Sequence, residues 1–360
     1  MSFFSRLLQP PSYLNLPVFA LDISDRSFKY IQFEKTSQGR RVRTFGSDVL
    51  PDGLIQSGVI TDTSKLAAIL REKLADKAFH YVALALPEEK GFVRTIRMPQ
   101  VAPEELREAV ALQLEEYVPL SPEETSFAYH VLPETIPNSM DVLIAAYPTQ
   151  LITVYRDTME QAKFIPVALE IESQAIARSV IPTTEEKDAT LVIDIGLTRT
   201  SFLFAKNGYT QLTSTIPIGG ITMHESIRKA LRVSETKAEQ LKKDYGIGRA
   251  REGKDVYDAL LPLVTSLQNE IQRRVEFWRE ELHKEKKTQK AAELNHIYLC
   301  GREANLIGLP QYLSAQLQTP VSLPNVWVNA FPNQYIVPEI EFRDSLGYAT
   351  SIGLALGAEE

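Results

Sequence analysis

Apolar and polar positions alternate along this chain in two distinct periods. "VFALDISDRSFKYIQF" (18–33) and "LVIDIGLTRTSFLF" (191–204) each run apolar, one aspartate, apolar, a small residue, a polar stretch and a second apolar run. Each predicts a β-hairpin, two strands joined by a tight polar turn. Further strands are expected at 40–50, 81–87, 92–98, in "SFAYHVL", at 141–148 and in "HIYLC". Spacings of three and four mark helices. In "DTSKLAAILREKLADKAF" (62–79), Asp62 or Thr63 suits the N-cap and Leu66, Ile69, Leu70 and Leu74 share a face. A second helix is expected from near Pro103 to near Tyr117, with Leu106, Val110, Gln113 or Leu114, and Tyr117 in one stripe. Others are expected at 150–164 (Ile152, Tyr155, Met159), at 219–231, across 234–287 and at 345–357. In the long stretch Val264, Leu267, Ile271, Val275, Trp278 and Leu282 form one buried face. Strands and helices alternating in this way predict an α/β fold.

An aspartate inside a strand changes this picture, because a buried carboxylate without a partner is costly. An ordinary edge hairpin with a turn-capping aspartate explains Asp22 or Asp194 alone. Two copies in one chain point to two related halves whose hairpins face each other.

Bulk properties narrow the function. With 360 residues the chain can hold two or more domain-sized units. A net charge of −7 argues against a broad nucleic-acid surface. The single cysteine, Cys300, excludes an intrachain disulfide and fits a reducing compartment. No apolar run reaches the length that spans a bilayer. The segment "MSFFSRLLQPPSYLNLP" (1–17) is too short and mixed for a signal peptide. It is expected to pack on the body or to be disordered, with contact to a membrane through Phe3, Phe4, Leu7 and Leu8 as the alternative.

Five pieces suggest one site. The two hairpins offer turn N–H groups and the hydroxyls of Ser24, Ser27, Thr198 and Thr200 to a phosphate. Gly219 and Gly220 precede a helix, where backbone can approach a ligand closely. Glu239 and Lys242 lie three apart on one helix face and can reach the same ligand edge, or else form a surface ion pair. Gly301 sits between a buried strand and a helix. Asp22 and Asp194 would hold a hydrated Mg²⁺ against the phosphates.

This series resembles the actin-like ATPase superfamily. The matching pieces are a first phosphate hairpin from Asp22 to Lys29, a second from Asp194 through Gly196 to Thr200, "AEQLKKDYG" (238–246), the adenosine turn "LCGREA" (299–304) and the closing "ATSIGLALG". The order of "RTIRMPQVAPEELREAVALQLEEYVPLSPEE", "DVLIAAYP", "YRDTMEQAKFIPVALEIESQAIAR" and "PIGGIT" narrows it to the PilM family of type IV pilus assembly proteins, relatives of the cell-division protein FtsA. The resemblance covers nearly the whole chain from residue 18. It implies ATP and Mg²⁺ as ligands, a cytoplasmic protein recruited to the inner membrane, and contacts with other proteins of a pilus or related type II secretion platform. It also implies binding of the short cytoplasmic N-terminal peptide of a bitopic partner, PilN. The sequence departs from the family pattern in two places. Ser24 stands where glycine is usual, and Gly301-Arg302-Glu303-Ala304 stands where a run of glycines is usual. Arg302 can instead stack on the base.

The organisation expected is an N-terminal segment (1–17), a first actin-like half (18–91 and 166–190) interrupted by a small α+β insert (92–165), a second half (191–230 and 291–344) carrying a helical unit (231–290), and a helix (345–360) returning to the first half. The insert should form one wall of a peptide groove and the first half the other. No strong candidate base for a hydrolytic water stands out, so ATP binding is expected with weak or absent turnover. Three rival readings remain: a scaffold of the same machinery without nucleotide, an FtsA-like membrane filament, and a small-molecule kinase. Oligomeric state stays open.

Overall fold

The structure is a computed structural model that describes residues 16–36, 39–118, 121–133, 137–183, 189–206, 208–285, 294–331 and 338–359. Most of the N-terminal segment and of the link at 284–295 lies outside the described residues.

The first half begins with β1 (Val18–Ile23), β2 (Ser27–Thr36) and β3 (Gly39–Val49), a meander. The short pair β4 (Ile55–Gln56) and β5 (Val59–Ile60) follows, then α1 (Thr63–Lys73), which Asp62 caps by accepting from Lys65 N. β6 (Tyr81–Leu86) runs parallel to β1. Next come β7 (Phe92–Pro99), α2 (Leu106–Leu114), β8 (Thr125–Val131), β9 (Ser139–Pro148) and α3 (Thr149–Gln161). β10 (Ile165–Ile171) and α4 (Glu172–Val180) close this part. The second half holds β11 (Ala189–Ile195), β12 (Thr200–Lys206), β13 (Tyr209–Ile216), α5 (Gly220–Leu231), α6 (Glu235–Tyr245), α7 (Lys254–Glu285), β14 (Leu294–Cys300), α8 (Leu309–Leu317) and β15 (Val321–Ser322). The short α9 (Phe342–Ser345) leads into α10 (Ala349–Gly357).

Two sheets carry the same topology. The first is ordered β10-β6-β1-β2-β3, and the second contains β15-β14-β11-β12-β13. In both, the first two strands form an antiparallel hairpin and the next two add in parallel on the other side. The related halves inferred from the two aspartates are therefore present as a topological repeat. The lead strands are buried on both faces, which is why they read as near-continuous apolar runs: Phe19, Ala20 and Leu21 in β1 match Leu191, Val192 and Ile193 in β11.

α4 and α10 fill the space between the sheets, in one core with Ala20 and Ile31 of the first and Val192 and Leu203 of the second. A Cβ placed at Gly353 would lie 1.7 Å from the Ala175 carbonyl oxygen, so only glycine allows α10 to pack this closely on α4. This contact explains the small-residue composition of the closing helix.

Residues 92–165 form β-α-β-β-α in the order expected, but their elements belong to two cores. β7, β9 and β8 pair antiparallel, and α2 covers them with Leu106, Val110 and Leu114 against Ile96, Met98, Val142 and Ile144. The helix is shorter than its sequence signal, being flanked by hydrogen-bonded turns at Ala102–Glu105 and Leu114–Tyr117. β7 also pairs with β13 through Leu212 and Arg94, extending the second sheet to eight strands. α3 instead buries Tyr155 and Met159 with Phe19, Leu66 and Phe164 in the first half. The long helical stretch is two helices, α6 and α7, separated at the Gly246–Gly248 turn. Trp278 of α7 stacks on Phe204 at 5.2 Å.

Candidate functional site

The two hairpin turns follow the ends of β1 and β11, equivalent strands of the two sheets. In the first, Asp22 pairs in register with Lys29, whose Nζ lies 3.8 Å from the carboxylate. The turn is tied by its own hydroxyls: the Ser24 N–H and Oγ donate to the Ser27 carbonyl at 2.8 and 3.0 Å, and the two Oγ atoms are 3.1 Å apart. Serine in place of glycine thus adds a local tether.

In the second hairpin Asp194 lies against the Cys300 thiol and the backbone of Gly301. The thiol donates to Oδ1 at 3.8 Å. A Cβ at Gly301 would lie 2.4 Å from Asp194 Oδ1, and Gly301 has φ +84°, so glycine is required there on two counts. Burial pushes the Asp194 carboxyl up, and the negative charge of Asp22 adds to it.

Several of the expected donors are committed elsewhere. The Thr200 hydroxyl is fully buried and donates to the Ile218 carbonyl at 2.7 Å, away from the cleft. Gly219 and Gly220 approach the second hairpin rather than open space: a Cβ at Gly219 would lie 2.7 Å from the carbonyl oxygens of Gly196 and Leu197. Those carbonyls accept the N–H groups of Gly220 and Ile221 at 3.1 and 2.9 Å, so the first turn of α5 docks on the hairpin. The Gly196 N–H closes the turn onto the Arg199 carbonyl at 2.9 Å, and Thr198 stays half-buried at its tip.

Glu239 and Lys242 do not pair with each other. Glu239 pairs with Lys243 at 2.8 Å on the exposed face of α6. Lys242 points inward and pairs with Glu303, both being almost fully buried. Arg302 beside it is exposed.

The cleft also holds residues that the sequence reading passed over. Arg199, in the second hairpin, reaches two carboxylates of the first half. Its Nη2 donates to both oxygens of Glu172, the first residue of α4, at 2.8 and 3.0 Å. Its Nη1 forms an ion pair with Glu89 at 2.9 Å, without the alignment of a hydrogen bond. Glu88 accepts from the Ser173 N–H at 2.9 Å, and Asp25 accepts from the N–H groups of Ser57 and Gly58. Burial pushes Glu172 up to about 8 against the pull of Arg199, with Asp22, Glu89 and Glu88 adding to the rise. Glu88 and Glu89 are raised by burial as well. The available signal was positional: "LEIESQAI" sets an acid at a strand-to-helix junction, and "GLTRTSF" sets a cation inside a hairpin turn. Neither has a partner nearby in sequence.

A family model described as type IV pilus assembly protein PilM matches residues 20–359. The chain belongs to that family. The solved PilM-PilN type IV pilus biogenesis complex is similar over 96% of this chain and 99% of that chain, at 23% identity and TM-score 0.79. MreB5 of Spiroplasma citri, solved bound to ADP, is similar over 87% and 93%, at 14% identity and TM-score 0.52. The MamK double helical filament is similar over 95% and 98%, at 10% identity and TM-score 0.55. The fold is thus the actin-like ATPase fold, as the two Asp-bearing hairpins led us to expect.

A cation beside Asp22 and Asp194 would offset the negative charge of Asp22 that raises the Asp194 carboxyl. Among the described residues no group of three or more His, Cys, Asp or Glu side chains is arranged to hold a metal. A Mg²⁺ that keeps its waters and binds phosphate needs only one or two carboxylates, and Asp22 and Asp194 would supply them. Beyond the Gly301 turn, Lys242 and Glu303 form their buried pair. Among the described residues no helix is long and apolar enough to cross a membrane.

Proposed function

We propose that this protein is a nucleotide-binding adaptor of a type IV pilus or related secretion platform. It binds Mg-ATP between its two hairpins, with weak or absent turnover. It captures the cytoplasmic N-terminal peptide of a PilN-like membrane protein. The observation that carries the nucleotide part is the pair Asp22 and Asp194, carboxylates near the ends of equivalent strands, the charge of the first raising the second. Such an arrangement costs stability unless a cation uses it. MreB5, of the same fold, is solved with ADP. In this reading Asp22 and Asp194 orient Mg²⁺ through water. Ser24, Ser27, Lys29, Gly196 and Thr198 surround the phosphates. Arg302 stacks on the base. Thr200, Gly219 and Gly220 shape the second hairpin instead of touching the ligand.

The partner reading rests on family membership and on the solved PilM-PilN complex. The groove would lie between the sheet of β7, β9 and β8 and the first half, and the partner's membrane span would bring the protein to the inner membrane.

Thermal unfolding with and without Mg-ATP tests the first part, since a ligand specific to the folded state raises the melting temperature. Titration with the synthetic partner peptide tests the second. No shift with Mg-ATP, together with peptide binding, would favour a nucleotide-free scaffold. The buried Lys242–Glu303 pair across the nucleoside end is the observation that speaks for that second reading.

A further inference from the structure

We propose that the Lys242–Glu303 ion pair is a gate on the nucleoside end of the cleft, so that a nucleotide binds only by opening it. The proposal rests on the reading of the cleft as a nucleotide site. It goes further in naming the contact that limits affinity.

Three observations meet at this point. First, Lys242 and Glu303 pair across 61 positions of sequence, each with only 7% of its side chain exposed. Surface pairs on this protein, such as Glu239–Lys243, leave about half of each side chain in solvent. Second, the Glu303 carboxylate rests directly on the start of α5. A Cβ at Gly220 would lie 2.6 Å from its Cδ and 2.7 Å from its Oε1, so glycine at 220 makes room for this carboxylate. Third, His224, one turn further along α5, has its Nε2 buried and without a hydrogen-bond partner among the described residues. A polar atom left unsatisfied beside a closed pair marks polar space that its own chain does not fill.

Position supplies the function. Glu303 is the third residue of the turn that follows β14, two positions after Gly301, which packs on Asp194. The phosphate end and the pair are therefore consecutive along one cleft. A nucleoside extending from phosphates at Asp22 and Asp194 toward α5 and α6 meets the carboxylate first. With Glu303 swung out, the Lys242 ammonium becomes a donor for the ligand, and the sugar hydroxyls find His224 Nε2. While the pair is closed, apparent affinity is reduced by the fraction of molecules that are open. Breaking a buried pair without replacement is unfavourable, which keeps that fraction small.

The test separates the two ends of the cleft. Mg-tripolyphosphate probes the phosphate end alone, and Mg-ATP probes both. Each is titrated calorimetrically into the full chain, into Glu303→Ala, and into the double variant Lys242→Ala with Glu303→Ala, which empties the gate without stranding a buried ammonium. Expected is tighter Mg-ATP binding in Glu303→Ala, by about fivefold or more, and a smaller gain in the double variant, which loses the Lys242 donor as well as the closed pair, with tripolyphosphate unchanged. Mg-ATP affinity unchanged or weakened, with tripolyphosphate bound as in the parent, overturns the gate and leaves the nucleotide reading standing. A lowered melting temperature with no change in the ratio of the two affinities makes the pair purely structural and overturns the gate as well. Failure of both ligands to bind the parent and every variant overturns the nucleotide reading, and the gate with it.

Discussion

Arg199 holds both oxygens of Glu172 at 2.8 and 3.0 Å, tying the second hairpin to the first turn of α4 across the cleft. The same guanidinium pairs with Glu89, which lies just before β7. One side chain thus links the phosphate hairpin of the second half to the first half and to the root of the insert.

Replacing Arg199 should therefore be costly. Arg199→Ala leaves Glu172 and Glu89 facing each other in a buried site, and removing one member of such a cluster costs about 3 kcal/mol or more. Urea unfolding at neutral pH measures this. The second change Glu172→Gln in the Arg199→Ala background should restore part of the loss. A single-variant loss below about 1 kcal/mol would mean the cluster is solvated and the tie is weak.

Stability should fall as pH rises. Glu172 titrates at about 8 in the folded chain against an ordinary value of 4.5. Between those values the folded protein holds a proton that the unfolded chain has released. Stabilisation is therefore complete below the lower value and lost as pH climbs through the higher one. Glu88, Glu89 and Asp194 are raised in the same direction. Melting temperatures of the protein without ligand, taken from pH 5 to pH 9, should decline more steeply in the parent than in Glu172→Gln. Parallel curves would show that Glu172 does not carry this dependence.

Asp194→Asn should separate binding from folding. The amide removes a charge that repels Asp22, so the melting temperature without ligand stays level or rises. Mg-ATP affinity falls by about tenfold, the loss of roughly one favourable charge contact to the hydrated cation. Calorimetry beside thermal unfolding distinguishes this from an aspartate that serves only its own turn, for which stability drops and affinity holds.

Gly353→Ala should disrupt the layer between the sheets. The new Cβ meets the Ala175 carbonyl oxygen at 1.7 Å, and neither α4 nor α10 can shift without moving both sheets. A loss of about 3 kcal/mol or more is expected in chemical denaturation. Near-neutral behaviour would mean that this layer is looser than the packing indicates.

Much of the architecture follows from the sequence alone, because its causes are local. Asp62 caps α1, glycine and small polar residues turn the hairpins, and period-two and three-to-four apolar spacings place strands and helices. The repetition of one aspartate in two similar hairpins disclosed the two halves before any strand was paired. The order of elements in 92–165 was equally readable.

Tertiary structure decided what depends on partners far away in sequence. Lys242 pairs with Glu303 rather than with Glu239, since helix spacing brings side chains near one another but burial selects the partner. The Thr200 hydroxyl turns to Ile218, because a buried hydroxyl takes whichever carbonyl the fold brings within reach. α3 joins the first core while β7 joins the second sheet, since a stripe of apolar residues specifies that a face is buried and not what it is buried against. Arg199 carries no local mark of its role. Its two carboxylates come from strand ends that meet it only when both sheets have formed, and Coulomb attraction acts through that distance alone, whatever the separation along the chain.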